Sequence, residues 1–306
     1  MRRPPTPGEA GFLGQLVDAG LVIESGVPGV YGFSATFVDV RERLEALVTG
    51  HAADDCPERL HFPPVLPKAT LEKSGYLNSF PHLGASIFGF EGDEREAAEL
   101  GAAAARHESW PHLGETGLVL TPAACYPVYP AIGRRAPLPT GGLCIDVGSA
   151  LVFRNEPSGD PARLQMFRQR ELVRIGEPET VAAWRDKWRD RALAILGSVG
   201  LEATVDIAAD PFFGRAGRMM SLSQREQALK FEVMAPIASP QPTALASFNY
   251  HRDHFTQVHA IAMEDGSEAH SACLGFGMER CALALFRKHG LEPRSWDPAV
   301  RDLLWT

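Results

Sequence analysis

Two short segments of this 306-residue chain combine arginine, carboxylate and aromatic side chains at spacings suited to binding phosphate and a planar base. The first reads FRNE (153–156), then a polar loop, then FRQRE (167–171), and we interpret it as a long β-hairpin. Alternation along a strand would place Arg154 and Glu156 on one face, and Phe167, Gln169 and Glu171 on one face. Such a surface could hold a phosphate, an amine and a base, or it could be an ordinary salt-bridged solvent face.

The second segment is the glycine-rich run CLGFGMER (273–280), which leads into CALALFRKHG. A glycine-rich strand that enters a helix lets a ligand approach the backbone closely, and it places Arg280 in the first helical turn. Alone, a Gly-x-Gly is more often a packing feature. No GxGxxG follows a strand and no GxxxxGK precedes Ser or Thr, so the common phosphate loops are absent from the sequence.

The elements around these segments predict one α+β domain over 1–306. Helical patterns lie at 12–22, 35–50, 93–107, 178–198 and 272–289. Strand-like runs are GLVLTPAACYPVYP, GGLCIDVGSALVFRNEP, LQMFRQRELVRIG, KFEVMAPI and TALASFNYHRDHFTQVHAI. Successive strands without regular intervening helices indicate a mostly antiparallel sheet flanked by helices, not a βαβ nucleotide-binding fold.

Composition restricts the class of partner. The net charge is −8, from 30 basic and 38 acidic side chains, which argues against a broad polyanion-binding surface and makes tRNA an unexpected partner. Five scattered cysteines do not form a disulfide framework and fit a reducing compartment. No apolar run reaches the roughly 18 residues of a membrane span, and no signal-type stretch follows the N-terminus. We predict a soluble cytoplasmic protein without a membrane partner.

In this order, FRNE and FRQRE resemble motif 2 of class II aminoacyl-tRNA synthetases, and GFGMER resembles their motif 3. LHFPPVLP (60–67) loosely resembles motif 1, with Pro63 or Pro64 as the motif proline. TPAACYP, SFNYHRDHF and SACLGFGMER carry a narrower resemblance, to the amino acid:carrier protein ligases, which are homologues of the archaeal zinc-dependent seryl-tRNA synthetases. The resemblance runs from near residue 30 to the C-terminus. It implies a class II synthetase-like antiparallel sheet flanked by helices.

The resemblance implies an ATP site with assigned roles. Arg154 would bind the α-phosphate and stabilise the transition state, while Glu156 would read the adenine edge. Phe167 and Arg280 would sandwich the adenine ring, and Arg280 would also reach the γ-phosphate, which suits a planar and permanently charged group. Arg168 is a further phosphate candidate.

Further roles concern magnesium and the amino acid. Mg²⁺ should accompany ATP, with Glu232 as the nearby carboxylate, although TALASFNY lacks a carboxylate where other synthetases often place one. Ser247 and Asn249 share a strand face and would line the amino-acid pocket, or simply reflect polar alternation. Nearby histidines match no known zinc spacing and are expected in exposed or hydrogen-bonded roles: His251, His254 and His259.

In this family a catalytic zinc is held by cysteine, glutamate and cysteine, and its open position takes the substrate amino group. The matching residues are Cys125, Glu171 and Cys273. Three protein ligands with one exchangeable position are typical of a reactive zinc site. Without the resemblance, each thiol would be read as a small buried hydrophobe. The other cysteines match no ligand position: Cys56, Cys144 and Cys281.

The acceptor of the activated amino acid follows from the resemblance too. A tRNA synthetase of this type carries an added N-terminal domain, whereas here only a short N-terminal extension (1–30) precedes the resemblance. The expected acceptor is the phosphopantetheine thiol of an acidic carrier protein, which calls for a basic docking patch. Segment 210–230 is the candidate helical insertion for this recognition, through Arg215 and Arg218 beside apolar side chains. A plain amphipathic surface helix is the alternative.

The sequence therefore predicts a ligase that uses ATP to activate glycine or alanine as an aminoacyl adenylate and transfers it to a carrier protein. A homodimer is expected by resemblance to class II cores. Aminoacylation of tRNA and a non-catalytic regulatory paralogue remain alternatives, although Arg154 and Arg280 are both retained, which favours a working site. A biotin- or lipoate-ligase relative would share the broad fold but lack the Cys/Glu/Cys set.

Overall fold

A computed structural model describes residues 11–135, 137–239 and 241–305, with the backbone alone for Arg215 and Ala216. The strands in these ranges are β1 (Val22–Glu24), β2 (Tyr31–Phe33), β3 (Glu58–Arg59), β4 (Val65–Pro67), β5 (Ser86–Phe90), β6 (Leu113–Leu120), β7 (Leu143–Phe153), β8 (Met166–Gly176), β9 (Thr204–Ile207), β10 (Lys230–Pro236), β11 (Pro242–Arg252) and β12 (His270–Gly277). The α-helices are α1 (Phe12–Asp18), α2 (Ala35–Ala52), α3 (Lys68–Lys73), α4 (Tyr76–Ser79), α5 (Glu94–Ala105), α6 (Val128–Ile132), α7 (Pro178–Ser198), α8 (Gly214–Glu226), α9 (His254–Val258), α10 (Met278–His289) and α11 (Pro298–Trp305).

The centre of the fold is a seven-stranded sheet with the order β3-β7-β8-β12-β11-β10-β9. All neighbours pair antiparallel except β3 and β7, which are parallel. A separate three-stranded sheet, β4-β6-β5, and the β1-β2 pair lie outside it. The predicted α+β class, with a mostly antiparallel sheet flanked by helices, is confirmed.

Successive side chains of a strand point to opposite sides, so the two faces of the central sheet differ in composition. One face is apolar and packs against α2, α7 and α10. Strands β8, β10, β11 and β12 contribute these core side chains: Leu172, Val233, Ala246, Phe248, Ala272, Leu274 and Phe276. The opposite face carries the polar residues discussed below, and we call it the ligand face.

Local sequence explains the helices that cover the apolar face. Ser34 caps α2, since its Oγ accepts a hydrogen bond from the Phe37 amide at 3.3 Å. The helix then buries one side, led by Phe37, Val40 and Leu44. Helix α7 begins with a proline at its first turn, where the missing amide hydrogen costs no hydrogen bond.

Several predicted boundaries were wrong, mostly where turns and prolines interrupt a hydrophobic run. Strand β12 continues to Gly277, so α10 begins at Met278 and not at 272. The run after residue 120 leaves β6 and forms a turn and α6, while the end of the 243–261 run forms α9. Strand β7 ends at Phe153, so FRNE continues into the loop instead of alternating along a strand.

The described part of the N-terminal extension packs into the main core. Phe12, Leu16, Leu21 and Val22 are buried together with residues of α2 and α10. The first ten residues lie outside the described ranges. Among the residues that the structure describes, no helix has the length and apolar character needed to cross a membrane.

A buried ion pair ties the β7–β8 hairpin to α2 on the apolar side. Arg170 donates to both carboxylate oxygens of Asp146, at 2.6 and 2.9 Å, and both side chains are almost fully buried. The same guanidinium contacts the Thr49 hydroxyl at 3.3 Å. Removing one member of such a pair leaves the other charge buried without compensation.

We therefore expect Asp146→Asn to lower the free energy of unfolding by about 3–5 kcal/mol. Urea denaturation of the purified chain measures this difference. The matched control is Glu202→Gln, which breaks the exposed ion pair with Lys288 and should leave the unfolding midpoint unchanged. Equal midpoints for the two variants would contradict the assignment.

Candidate functional site

The ligand face brings together three predicted residues that are far apart in the sequence. Glu171 lies on β8, Cys273 lies on the neighbouring β12, and Cys125 comes from the turn before α6. Each offers one ligand atom, and these atoms all lie within 4.8 Å of one another. All three residues are buried. The structure therefore assembles the proposed Cys/Glu/Cys set.

The chemistry of this set fits a metal ion. Both Glu171 carboxylate oxygens are buried without a hydrogen-bond partner among the described residues. Burial raises the pKa of Glu171 to about 7, and the two thiols beside it oppose that rise. Ligands of a tetrahedral zinc stand roughly 3.5–3.8 Å apart, so a small contraction would complete the site. Two thiols and a carboxylate are suitable zinc ligands.

Burial also raises the pKa values of the two thiols, Cys125 and Cys273. The hydrogen bond to Cys273, together with burial, raises the pKa of Cys125 well above its usual value. The Cys125 hydrogen bond lowers the pKa of Cys273, but burial and the Glu171 carboxylate outweigh it and leave that pKa raised. A cation would reverse this balance, because a coordinating thiol loses its proton.

Two polar side chains, those of Asn249 and His251, contact the Cys273 sulfur. Asn249 Nδ2 donates to Cys273 Sγ at 3.6 Å, while its Oδ1 is buried without a partner among the described residues. His251 Nε2 also lies 3.6 Å from that sulfur, and its ring contacts Tyr129 Oη at 3.2 Å. Burial lowers the pKa of His251 to about 3, so the ring is neutral. The expectation of a hydrogen-bonded histidine is met for His251.

Beside the metal cluster, two arginines face one aromatic ring. Arg154 Cζ lies 5.5 Å from the Phe167 ring centroid, and Arg280 Cζ lies 6.0 Å from it. Backbone carbonyls hold both guanidinium groups: Pro122 O accepts from Arg154 at 3.1 Å and Ala162 O accepts from Arg280 at 2.7 Å.

Neither guanidinium forms an ion pair within the described part of the chain. Burial and the neighbouring Arg154 charge lower the pKa of Arg280. Two adjacent uncompensated cations favour a polyanionic ligand. Glu156, two residues after Arg154 in the chain, acts electrostatically on Arg280, and its role at the adenine edge stays a prediction.

Other predicted residues are placed less simply. Ser247 and Glu232 pair across β11 and β10 on the ligand face, with the Ser247 hydroxyl 3.5 Å from the Glu232 carboxylate. Glu232 already has a cation, since Lys230 Nζ lies 2.9 Å away. Arg168 is not brought to the ligand face: its amide donates to Glu279 at 2.7 Å, and its guanidinium pairs with the same carboxylate on the helix side.

The ligand face also includes residues that the sequence did not single out. Lys230 is buried between Asp210 at 2.7 Å and Glu232. Gly275 lies between Ser247 and Glu171 in the strand register, and a Cβ there would stand 2.6 Å from Gln169 Nε2. The glycine-rich run pointed to Gly275, but nothing local to the sequence marked Lys230.

Helix α8, in the predicted insertion, has a polar inner side. Gln224 Nε2 donates to Asp210 at 2.8 Å and its Oε1 accepts from the Asp210 amide at 2.7 Å, which links α8 to Lys230 and the ligand face. The outer side carries three exposed apolar side chains, Met219, Met220 and Leu222, and the exposed Phe213 directly precedes the helix. Arg218 is exposed among them, whereas the side chain of Arg215 lies outside the described residues. Phe212, one of the apolar side chains of segment 210–230, is half-buried and stacks on Phe80.

This combination of an antiparallel sheet, a motif-2-like hairpin and a motif-3-like strand and helix defines a class II aminoacyl-tRNA-synthetase-like catalytic domain. The fold comparison agrees. The chain superposes with a TM-score of 0.82 on the seryl-tRNA synthetase of M. kandleri in a crystal structure with A. aeolicus tRNASec, at 21% sequence identity over 99% of this chain and 62% of that one.

Two curated proteins of Bradyrhizobium diazoefficiens show the family. Amino acid–acyl-carrier-protein ligase 1 is 49% identical over 284 residues, covering 91% of this chain and 86% of that protein. Amino acid–acyl-carrier-protein ligase 2 is 46% identical over 304 residues, covering 98% and 89%. A scan against protein-family models finds no match. The chain belongs to the amino acid–acyl-carrier-protein ligases, and the predicted enzyme class is confirmed.

Loss of a thiol ligand should abolish metal retention. We expect Cys125→Ser and Cys273→Ser to reduce bound zinc from one ion per chain to nearly none, because two remaining ligands hold zinc weakly. Metal content after dialysis, measured by atomic emission, reports the change. Cys56→Ser is the matched control, since Cys56 is exposed and outside the cluster. Full zinc retention by Cys125→Ser would exclude this set as the site.

Proposed function

We propose that this chain uses ATP to convert a small amino acid into an aminoacyl adenylate and then transfers the aminoacyl group to the phosphopantetheine thiol of a carrier protein. The observation that carries the proposal is the position of the Cys125/Glu171/Cys273 set beside Arg154, Phe167 and Arg280 on one face of the sheet. The names of the two relatives support an amino acid and a carrier protein as the substrates.

A metal-bound amino group would fix one end of the substrate. When zinc is bound by Cys125, Glu171 and Cys273, its open position supplies a site for the amino group. Asn249 Oδ1, buried and without a described partner, is the acceptor that we assign to the amino hydrogens. Gln169, Asn249 and Ser247 lie on the same face of the sheet as the Cys/Glu/Cys set. We extend the proposal to glycine or alanine as the amino acid, as the resemblance to the family implies.

The arginine pair would hold the nucleotide. An adenine ring stacked between Phe167 and the Arg280 guanidinium needs about 7 Å between the two planes. Arg280 Cζ lies 6.0 Å from the Phe167 ring centroid, which is about 1 Å less than this separation. Arg154 would contact the α-phosphate, where charge develops as the amino-acid carboxylate attacks and pyrophosphate leaves.

This reaction needs no protein nucleophile, since positioning and charge neutralisation lower its barrier. Glu156 would read the adenine edge. Mg²⁺ is proposed to enter with ATP, with Glu232 as the nearby carboxylate, shared with its Lys230 partner. We also propose a homodimer, as in class II cores.

The first test is ATP–pyrophosphate exchange over all twenty amino acids. We expect exchange with glycine or alanine, loss on zinc chelation, and a decrease of about 100- to 1,000-fold for Arg154→Ala, which removes transition-state stabilisation. Arg95→Ala on α5 is the matched control, because that side chain is largely exposed to solvent. A folded, zinc-loaded chain without exchange for any amino acid would favour a regulatory paralogue.

Carrier recognition is assigned to α8. Its exposed outer side combines Met219, at 71% exposure, and Leu222, at 62%, with the cationic Arg218. Exposed apolar groups next to basic charge suit an acidic helical partner. The inner side is fixed through Gln224 and Asp210, so a bound carrier would be held at a defined place relative to the ligand face.

Charge reversal on this surface should weaken transfer but not activation. We expect Arg218→Glu to raise the KM for the carrier about 10-fold, with unchanged pyrophosphate exchange, because rim charges act mainly on association. Transfer of radiolabelled amino acid to holo-carrier measures this effect. Arg95→Glu serves as the control for net charge. Equal carrier KM values for all three proteins would reject the docking surface, and labelling of bulk tRNA would instead point to aminoacylation.

A further inference from the structure

Some buried polar atoms lack a hydrogen-bond partner within the described part of the chain. Among the described residues they include both Glu171 carboxylate oxygens, Asn249 Oδ1, Thr121 Oγ1 and Tyr76 Oη. A buried polar atom that lacks a hydrogen bond costs free energy, so native structures rarely retain one without a reason. The roles proposed above account for Glu171 and Asn249. They leave the Tyr76 hydroxyl unexplained.

Tyr76 lies next to the cluster that would hold the amino group. It is the first residue of α4 and is 5% exposed. Its ring meets Tyr126 edge to face, with centroids 5.4 Å apart, and it packs on Phe80 at 5.1 Å. Tyr126 directly follows Cys125 in the chain. These contacts hold the Tyr76 ring rigidly, and the hydroxyl is therefore a pre-positioned group.

The charges around the Tyr76 hydroxyl belong to the ligand face. Burial raises the pKa of Tyr76 to about 12; the Arg154 charge opposes the rise, and the Glu156 and Asp210 charges reinforce it. The hydroxyl consequently keeps its proton at neutral pH and acts as a donor. The Arg154 charge thus acts on the Tyr76 hydroxyl, while Tyr126, the residue after Cys125, packs against the Tyr76 ring.

We propose that Tyr76 Oη donates a hydrogen bond to the acyl-phosphate group of the aminoacyl adenylate and to the transition state that forms it. The inference rests on the proposed function and adds a catalytic residue to it. The acceptor is an anionic oxygen that arises between the amino end at Cys125 and the phosphate end at Arg154. The proton stays on Tyr76, and no bond to the protein forms.

Tyr76→Phe is a direct test, because it removes only the hydroxyl and keeps the ring contacts with Tyr126 and Phe80. We expect the rate constant of pyrophosphate exchange to fall about 10- to 100-fold, the usual effect of one hydrogen bond to a charged group. The KM values for ATP and the amino acid should change less than kcat, because the acceptor charge appears in the transition state. The melting temperature should stay constant or rise, since an unpartnered buried hydroxyl is lost.

The Tyr250→Phe variant is the matched control, and we expect it to change stability instead of activity. The Tyr250 hydroxyl is hydrogen-bonded to His270, and its ring lies on the helix side beside Arg185, away from the ligand face. This variant should lower the melting temperature and leave exchange unchanged. The two variants thus separate a ligand-binding hydroxyl from a structural one.

The outcomes also separate this inference from the proposed function. Wild-type protein without exchange means that the proposed function has failed. Active wild type with an equally active Tyr76→Phe variant overturns the role of Tyr76 alone. A Tyr76→Phe variant that loses thermal stability as Tyr250→Phe does would show a structural partner for the hydroxyl, which also overturns it.

Discussion

The antiparallel register of the central sheet is the constraint on which the site depends. In that register Glu171 on β8 pairs with Gly275 on β12, and Gly275 pairs with Ser247 on β11. Because directly paired residues point to the same side, a single row crosses three strands on the ligand face. A one-residue slip of β12 would turn Cys273 into the apolar core and expose Leu274. Burial of the apolar face therefore fixes the strand register that places the polar side chains on the ligand face.

The apolar side also contains the buried Arg170–Asp146 ion pair, which joins β7 to β8. Arg170 and Glu171 are adjacent on β8 and point to opposite sides, so the Arg170–Asp146 pair fixes the strand that presents Glu171. Glu279 similarly joins β8 to α10 through the Arg168 amide. The two motif-like segments are thus connected behind the ligand face.

Without ligands, the ligand face lowers the stability of the folded protein. It holds a buried carboxylate whose pKa is raised to about 7 and two arginines that form no ion pair within the described residues, and both features oppose the folded state of the free protein at neutral pH. A cation at the Cys/Glu/Cys set and a polyanion at the arginines would remove these penalties in complementary ways. Binding and stability are therefore linked in this enzyme.

The sequence alone determined the fold class, the hairpin, the main helices and the family, because these depend on periodicity and on short contiguous motifs. It marked the Arg154, Phe167 and Arg280 set and, through resemblance, the three candidate metal ligands Cys125, Glu171 and Cys273. Only the tertiary structure decided that Arg168 faces the helices, that Lys230 pairs with Glu232, and that Tyr76 packs against Tyr126. These facts depend on strand register and on contacts between segments dozens of residues apart, which no local pattern encodes.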